Sequence, residues 1–163
     1  MTVPDDIIPA DYRDLLERPL FAHLATVRPD GTPQINAMWF DWDGAYLYFT
    51  STIARYKHRN VTARPSVAVS VSDPDDPYRH LEVRGRVERI EPDTEGIVWL
   101  RLAARYGDSV EGPPADAAQR VVYVVRPVGT SSFTRRRVNE DASRRSLTGG
   151  FPAVAEGGCP RGL

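Results

Sequence analysis

The chain has 163 residues, 41% of them apolar, and a formal charge of −1 at pH 7. That length and composition suit one ordinary hydrophobic core, and the near-neutral balance gives no overall pull toward nucleic acid or acidic membranes. No run approaches the roughly 18 to 20 apolar residues of a membrane-spanning helix, and Met1 to Asp6 lacks the basic and apolar blocks of a signal peptide, so a soluble, cytoplasmic protein without membrane insertion is expected. Cys159 is the only cysteine, which excludes an internal disulfide and a cysteine-rich metal site. His23, His58 and His80 have no metal-ligand spacing either, so no metal is expected.

In chain order, Pro9 to Arg18 reads as a short helix with Tyr12, Leu15 and Leu16 on one stripe and Pro19 as its stop. Phe21 to Val27 is rich in strand formers, Pro29-Asp30-Gly31 is a turn signal and Thr32 to Phe40 is a second run, which together predict a β-hairpin. Asp41 to Gly44 reads as a turn and Tyr46 to Thr50 as a third antiparallel strand. From Ile53 to Ala63 the pattern is helical, and it stops before Arg64-Pro65 because the residue before proline is disfavoured in helical geometry.

Ser66 to Ser72 alternates strictly, and His80 to Ile90 alternates again around Gly85, where a bulge or barrel corner is expected. Pro92 to Tyr106 is a predicted helix with Ile97, Leu100, Leu102 and Ala104 as its apolar residues, and Arg120 to Phe133 is the last strand. The sum is a mainly β, α+β chain: six antiparallel strands with two or three short helices. Short antiparallel strands with one inserted helix favour a closed or split β-barrel, which leaves fewest unprotected edges. Three segments follow: an N-terminal helical segment at 1–18, a barrel at 19–133 and an Arg/Gly/Ser/Pro tail at 134–163 whose sparse apolar residues do not repay the entropy of ordering.

The basic run Arg55-Tyr56-Lys57-His58-Arg59 follows Thr50-Ser51-Thr52 where a strand gives way to a helix. Hydroxyls, free backbone N–H groups and the helix dipole favour an anion there, and an arginine beside a lysine supplies both cation types that a phosphate uses. Lys57 is the only lysine among 21 basic residues. The same residues also read as a solvated basic helix face with Thr52 as an ordinary N-cap, and residue types alone leave both readings open.

Context comes from Ala25-Thr26-Val27-Arg28-Pro29-Asp30-Gly31-Thr32-Pro33-Gln34, then Trp39-Phe40, the Tyr-Leu-Tyr-Phe-Thr strand and Thr52 to Asn60. Arg64 to Val69 and Leu81 to Glu88 follow in order. This arrangement, spanning about residues 19 to 133, resembles the pyridoxamine 5'-phosphate oxidase-like superfamily of FMN-binding split β-barrels, and within it the actinobacterial coenzyme F420-dependent branch. The resemblance implies a homodimer with cofactor sites at its interface. It also implies that Arg55 and Lys57 bind the cofactor phosphate with Thr50, Ser51 and Thr52, and with Arg59 and Asn60 nearby. Gln34, Asn36 and Met38 would lie beside the ring, consistent with their sharing one face of a strand. Tyr78 and His80 match positions from which the partner subunit approaches the pocket, and they are the candidates for proton supply.

The function implied is hydride transfer from reduced F420 to a conjugated or quinone-like small-molecule acceptor. FMN dependence on the same fold is the alternative, and so is a non-catalytic module binding flavin, deazaflavin or haem. The C-terminal arginine- and histidine-containing substrate motif of a true pyridoxamine phosphate oxidase is missing at Arg135-Arg136-Arg137. Nucleic-acid binding through those arginines and Arg144-Arg145 is disfavoured by the net charge and the lack of interleaved aromatics.

Overall fold

A computed structural model describes residues 7–134, so the tail from 135 onward lies outside the described residues. Seven antiparallel strands form one sheet in the order β2-β1-β5-β6-β7-β4-β3. They are β1 (Ala22–Val27), β2 (Pro33–Met38), β3 (Asp41–Trp42), β4 (Leu47–Thr52), β5 (Ser66–Ser72), β6 (His80–Pro92) and β7 (Arg120–Phe133). The helices are α1 (Arg13–Glu17), entered through a 3-10 turn at Ala10–Tyr12, α2 (Tyr56–Ala63) and α3 (Ile97–Arg105). β2 and β3 remain at the two ends of the order, so the sheet is a split barrel and not a closed one.

The count of strands rises from the expected six to seven because Asp41-Trp42 pairs with Tyr48 and Leu47 before the chain turns at Gly44, whose φ is 96°. The larger difference lies at the third strand. β4 runs on through Ser51 and Thr52 because both pair with β7, opposite Val121 and Arg120. α2 therefore begins at Tyr56, three residues later than its periodicity suggests, with Arg55 as an N-cap that has no side-chain capping bond. Thr52 is a strand end and caps nothing. In α3, Leu102 and Ala103 are buried while Ile97 is 63% exposed, so the apolar stripe is narrower than the sequence pattern. Asp93 accepts from the backbone N–H groups of Val98 and Trp99 and closes that helix's first turn.

One core fills the barrel, built from Leu15 and Leu16 of α1, Phe40, and the inward positions of every long strand, among them Leu24, Phe49, Val69, Leu81 and Tyr123. The β1–β2 hairpin turns at Gly31 with φ 91°, and its register sets Thr26 opposite Gln34 and Leu24 opposite Asn36. Because side chains alternate, Gln34, Asn36 and Met38 share the face on which α2 lies. Register shifts at Gly85 and after Val87 let β6 bend between β5 and β7. α1 is fastened by Arg79, which bonds Asp14 and Asp73, and by Arg18, which bonds Asp73. Arg79 holds the carboxyl of Asp14 below the usual range, and the backbone N–H of Asp75, with Arg79 and Arg18, does the same for Asp73.

Candidate functional site

The start of α2 faces the inner side of β2 across a cleft of ≈ 390 Å³. β2 contributes Gln34 and Asn36, the end of β4 contributes Thr52, and the turn into α2 contributes Ala54, Arg55, Tyr56 and Lys57. The only route by which residues 34 and 57 meet is the packing of the helix on the hairpin. That packing is fastened by Asn60, a buried residue whose Nδ2 donates to Thr26 Oγ1 at 2.9 Å and to Gln34 Oε1 at 3.2 Å.

Lys57 is 9% exposed, and its Nζ has Met38 Sδ at 3.4 Å as its hydrogen-bond partner. Burial lowers its pKa from the ordinary 10.5, and the neighbouring positive charge of Arg55 lowers it further. Among the described residues neither Lys57 nor Arg55 forms an ion pair, in a chain where Arg18, Arg79, Arg105 and Arg120 all do. A buried ammonium without a carboxylate is costly unless an anion arrives from outside the chain. The cleft lining contains no acid, so its electrostatics fit a phosphate.

A second cleft of ≈ 270 Å³ opens on the other side of Tyr56, lined by Arg28, Pro29, Asp30, Tyr56, Arg59 and Asn60. The guanidinium carbons of Arg28 and Arg59 lie 5.3 and 5.6 Å from the centre of the Tyr56 ring, a cation–π spacing. Tyr56 is 63% exposed, so it forms the ridge between two cationic depressions.

Of the residues singled out in the sequence, Gln34, Asn36, Thr52, Arg55 and Lys57 meet around the first cleft. Met38 sits beneath Lys57, Asn60 braces the wall, and Arg59 belongs to the second cleft. Thr50 is turned to Arg120, whose Nη1 donates to its hydroxyl at 3.2 Å, and Ser51 is buried on the same side of β4 as Leu47 and Phe49. Neither lines the cleft. Tyr78 and His80 are also absent from it: Tyr78 is in the loop before β6 and His80 stacks on Phe133 at 5.9 Å. Tyr56 was named only within the basic run, and Arg28 and Thr26 only within the hairpin motif, with no site role for any of the three. Hairpin register carried a signal for the last two, since Thr26 and Arg28 fall on the parity that faces Gln34.

The pyridoxamine 5'-phosphate oxidase family matches residues 8–132, the whole barrel with its preceding helix. The chain belongs to that family. A solved F420 reductase is 60% identical over 76% of this chain and 98% of its own, with a TM-score of 0.74. A pyridoxamine 5'-phosphate oxidase, so named provisionally, from Listeria innocua is 25% identical over 75% of this chain and 94% of its own, at TM-score 0.61. A conserved hypothetical protein of Mycobacterium tuberculosis shares the fold at 24% identity and TM-score 0.61, covering 97% of this chain and 98% of that one. No curated protein sequence matches. Among the described residues of this family member, no helix is long and apolar enough to cross a membrane.

Proposed function

We propose that the protein is an oxidoreductase using coenzyme F420 to reduce a conjugated or quinone-like organic acceptor. The observation that carries this reading is the acid-free pairing of buried Lys57 with exposed Arg55 on a cleft whose opposite wall is carboxamide. Lys57 and Arg55 would hold the cofactor phosphate, Thr52 would add a hydroxyl, and Gln34 and Asn36 would border the ring. When bound, the deazaflavin supplies hydride chemistry, so the protein needs no catalytic triad. The work left to the chain is to neutralise the phosphate, fix the ring's height above β2 and keep water from its face. The 60% identity to an F420 reductase supports the choice of cofactor. The second cleft, where Arg28 and Arg59 outnumber Asp30, supports it too, because F420 continues beyond its phosphate into carboxylates whereas FMN ends there.

Tyr78 and His80 lie away from this chain's own cleft, which fits a homodimer in which a second copy brings them to the acceptor for proton supply. The outward face of the hairpin suits such a partner: Ile35 is 63% exposed and stands opposite Ala25 in the β1 register. Sedimentation at micromolar concentration should give twice the monomer mass.

The deciding experiment titrates the purified protein with F420 and with FMN and then assays the bound form against a panel of quinones. Tighter F420 binding with turnover is expected. Preference for FMN would overturn the cofactor, and binding without turnover would make the protein a carrier. The double variant Arg55→Ala/Lys57→Ala should weaken binding by about 3 to 6 kcal/mol, taking about 1.5 to 3 kcal/mol for each charge-assisted contact.

A further inference from the structure

The first cleft's carboxamide wall is a directed chain of hydrogen bonds. Arg28 Nε donates to Gln34 Oε1 at 3.4 Å, and Asn60 Nδ2 donates to the same oxygen at 3.2 Å. Gln34 Nε2 in turn donates to Asn36 Oδ1 at 3.3 Å. The oxygen and nitrogen of a carboxamide have nearly the same shape, so their assignment rests on the network around them. Asn60 alone does not settle it, because its amide has both polarities and the Thr26 hydroxyl can give or accept. Arg28 does settle it, since a guanidinium has donors and no acceptor. Gln34 must therefore turn its oxygen toward Arg28, which sends its nitrogen to Asn36.

The consequence reaches the cleft. Both lone pairs of Gln34 Oε1 are engaged, one Gln34 N–H is spent on Asn36, and Asn36 has spent an acceptor site and no donor. The remaining Gln34 N–H and both Asn36 N–H groups are left for a ligand. With Lys57 and Arg55 opposite, the cleft offers donors from both walls.

We propose that Arg28 is a positioning residue that sets the hydrogen-bond polarity of Gln34 and Asn36, so that the wall receives the acceptor edge of a ligand ring, its carbonyl oxygens and unprotonated ring nitrogens. This rests on the proposed ring binding in the same cleft for its ligand, though not for the polarity itself. Donors aimed at such an edge favour the ring's anionic reduced form. Arg28 touches no reacting atom and acts through Gln34.

The test has a ligand-free arm and a ligand arm. In NMR spectra of the unliganded protein, the Gln34 side-chain amide protons should show Overhauser contacts to the Asn36 side chain in the wild type and in Arg28→Lys, whose ammonium also only donates. In Arg28→Glu the residue at 28 only accepts, so Gln34 should turn and its amide protons should contact that side chain instead. Gln34→Glu forces the same reversal at Asn36 without touching Arg28.

In the ligand arm, the affinity for FMN, which lacks the carboxylates that the Arg28 cleft would receive from F420, is divided by the affinity for inorganic phosphate, which cancels the change of charge at the phosphate site. That ratio should fall at least tenfold in Arg28→Glu and Gln34→Glu and change less than threefold in Arg28→Lys. An unturned Gln34 amide in Arg28→Glu, or equal ratios for Arg28→Glu and Arg28→Lys, overturns the proposal. Failure of the wild type to bind F420 or FMN sinks the cofactor reading alone, since the NMR arm still decides the polarity.

Discussion

Lys57→Met separates what the cleft does for the fold from what it does for a ligand. Lys57 is 9% exposed, has sulfur as its hydrogen-bond partner and carries a pKa lowered by burial and by Arg55. Methionine keeps the unbranched stem against Met38 and removes the charge, so the ligand-free protein should become more stable by about 1 kcal/mol, the low end of what replacing a buried charge by an apolar group returns. Phosphate binding should weaken by about 1.5 to 3 kcal/mol, roughly 10- to 150-fold.

The pH dependence has a definite sign. Between its lowered folded value and 10.5 the unfolded chain holds more protons at Lys57 than the folded one, so this group's contribution to stability rises with pH through that window. Phosphate affinity falls over the same rise, as the ammonium is lost. Tyr48 and Tyr123, both pushed up to about 12, chiefly by burial, oppose the stability trend above pH 10. The difference between wild type and Lys57→Met removes them. Urea denaturation from pH 7 to 10, with isothermal titration of F420, measures both quantities. A variant that is less stable and binds as tightly as the wild type would refute the reasoning.

At Gly85→Ala the new methyl would lie 2.5 Å from Val125 Cγ1 and 3.3 Å from the Arg126 carbonyl at the β6 bulge, so a loss of about 1 to 3 kcal/mol is expected in urea denaturation. Arg79→Ala removes two ion pairs and leaves Asp73, whose side chain is 12% exposed, without its bond at 2.9 Å; a loss of about 2 kcal/mol at pH 7 should result. Because Asp14 and Asp73 are held below 3.8, their contribution is complete above that pH and fades as pH falls through their lowered values, so the difference between wild type and Arg79→Ala should shrink on acidification below 3.8.

Strand placement was legible because it depends on short-range information. Ser66–Ser72 and Arg120–Phe133 have the bounds that alternation and turn residues indicate, and Gly85 marks the bulge. The hairpin also puts Gln34, Asn36 and Met38 on one face by parity alone. The junction after β4 was misread because nothing local says that Ser51 and Thr52 will pair with Val121 and Arg120, about 70 residues away. Long-range pairing overrode helical periodicity, and it moved the start of α2 to Tyr56.

The sequence by itself determined six of the seven strands in chain order, the family and the presence of one lysine between two arginines. Tertiary structure decided that this lysine is buried and its neighbour Arg55 exposed, a distinction that residue type does not contain. It also decided that Thr52 borders the cleft while Thr50 and Ser51 do not, and that Arg28 reaches Gln34. The physical reason is that desolvation and hydrogen-bond direction belong to the space between α2 and β2, which exists only once the helix has docked on the hairpin.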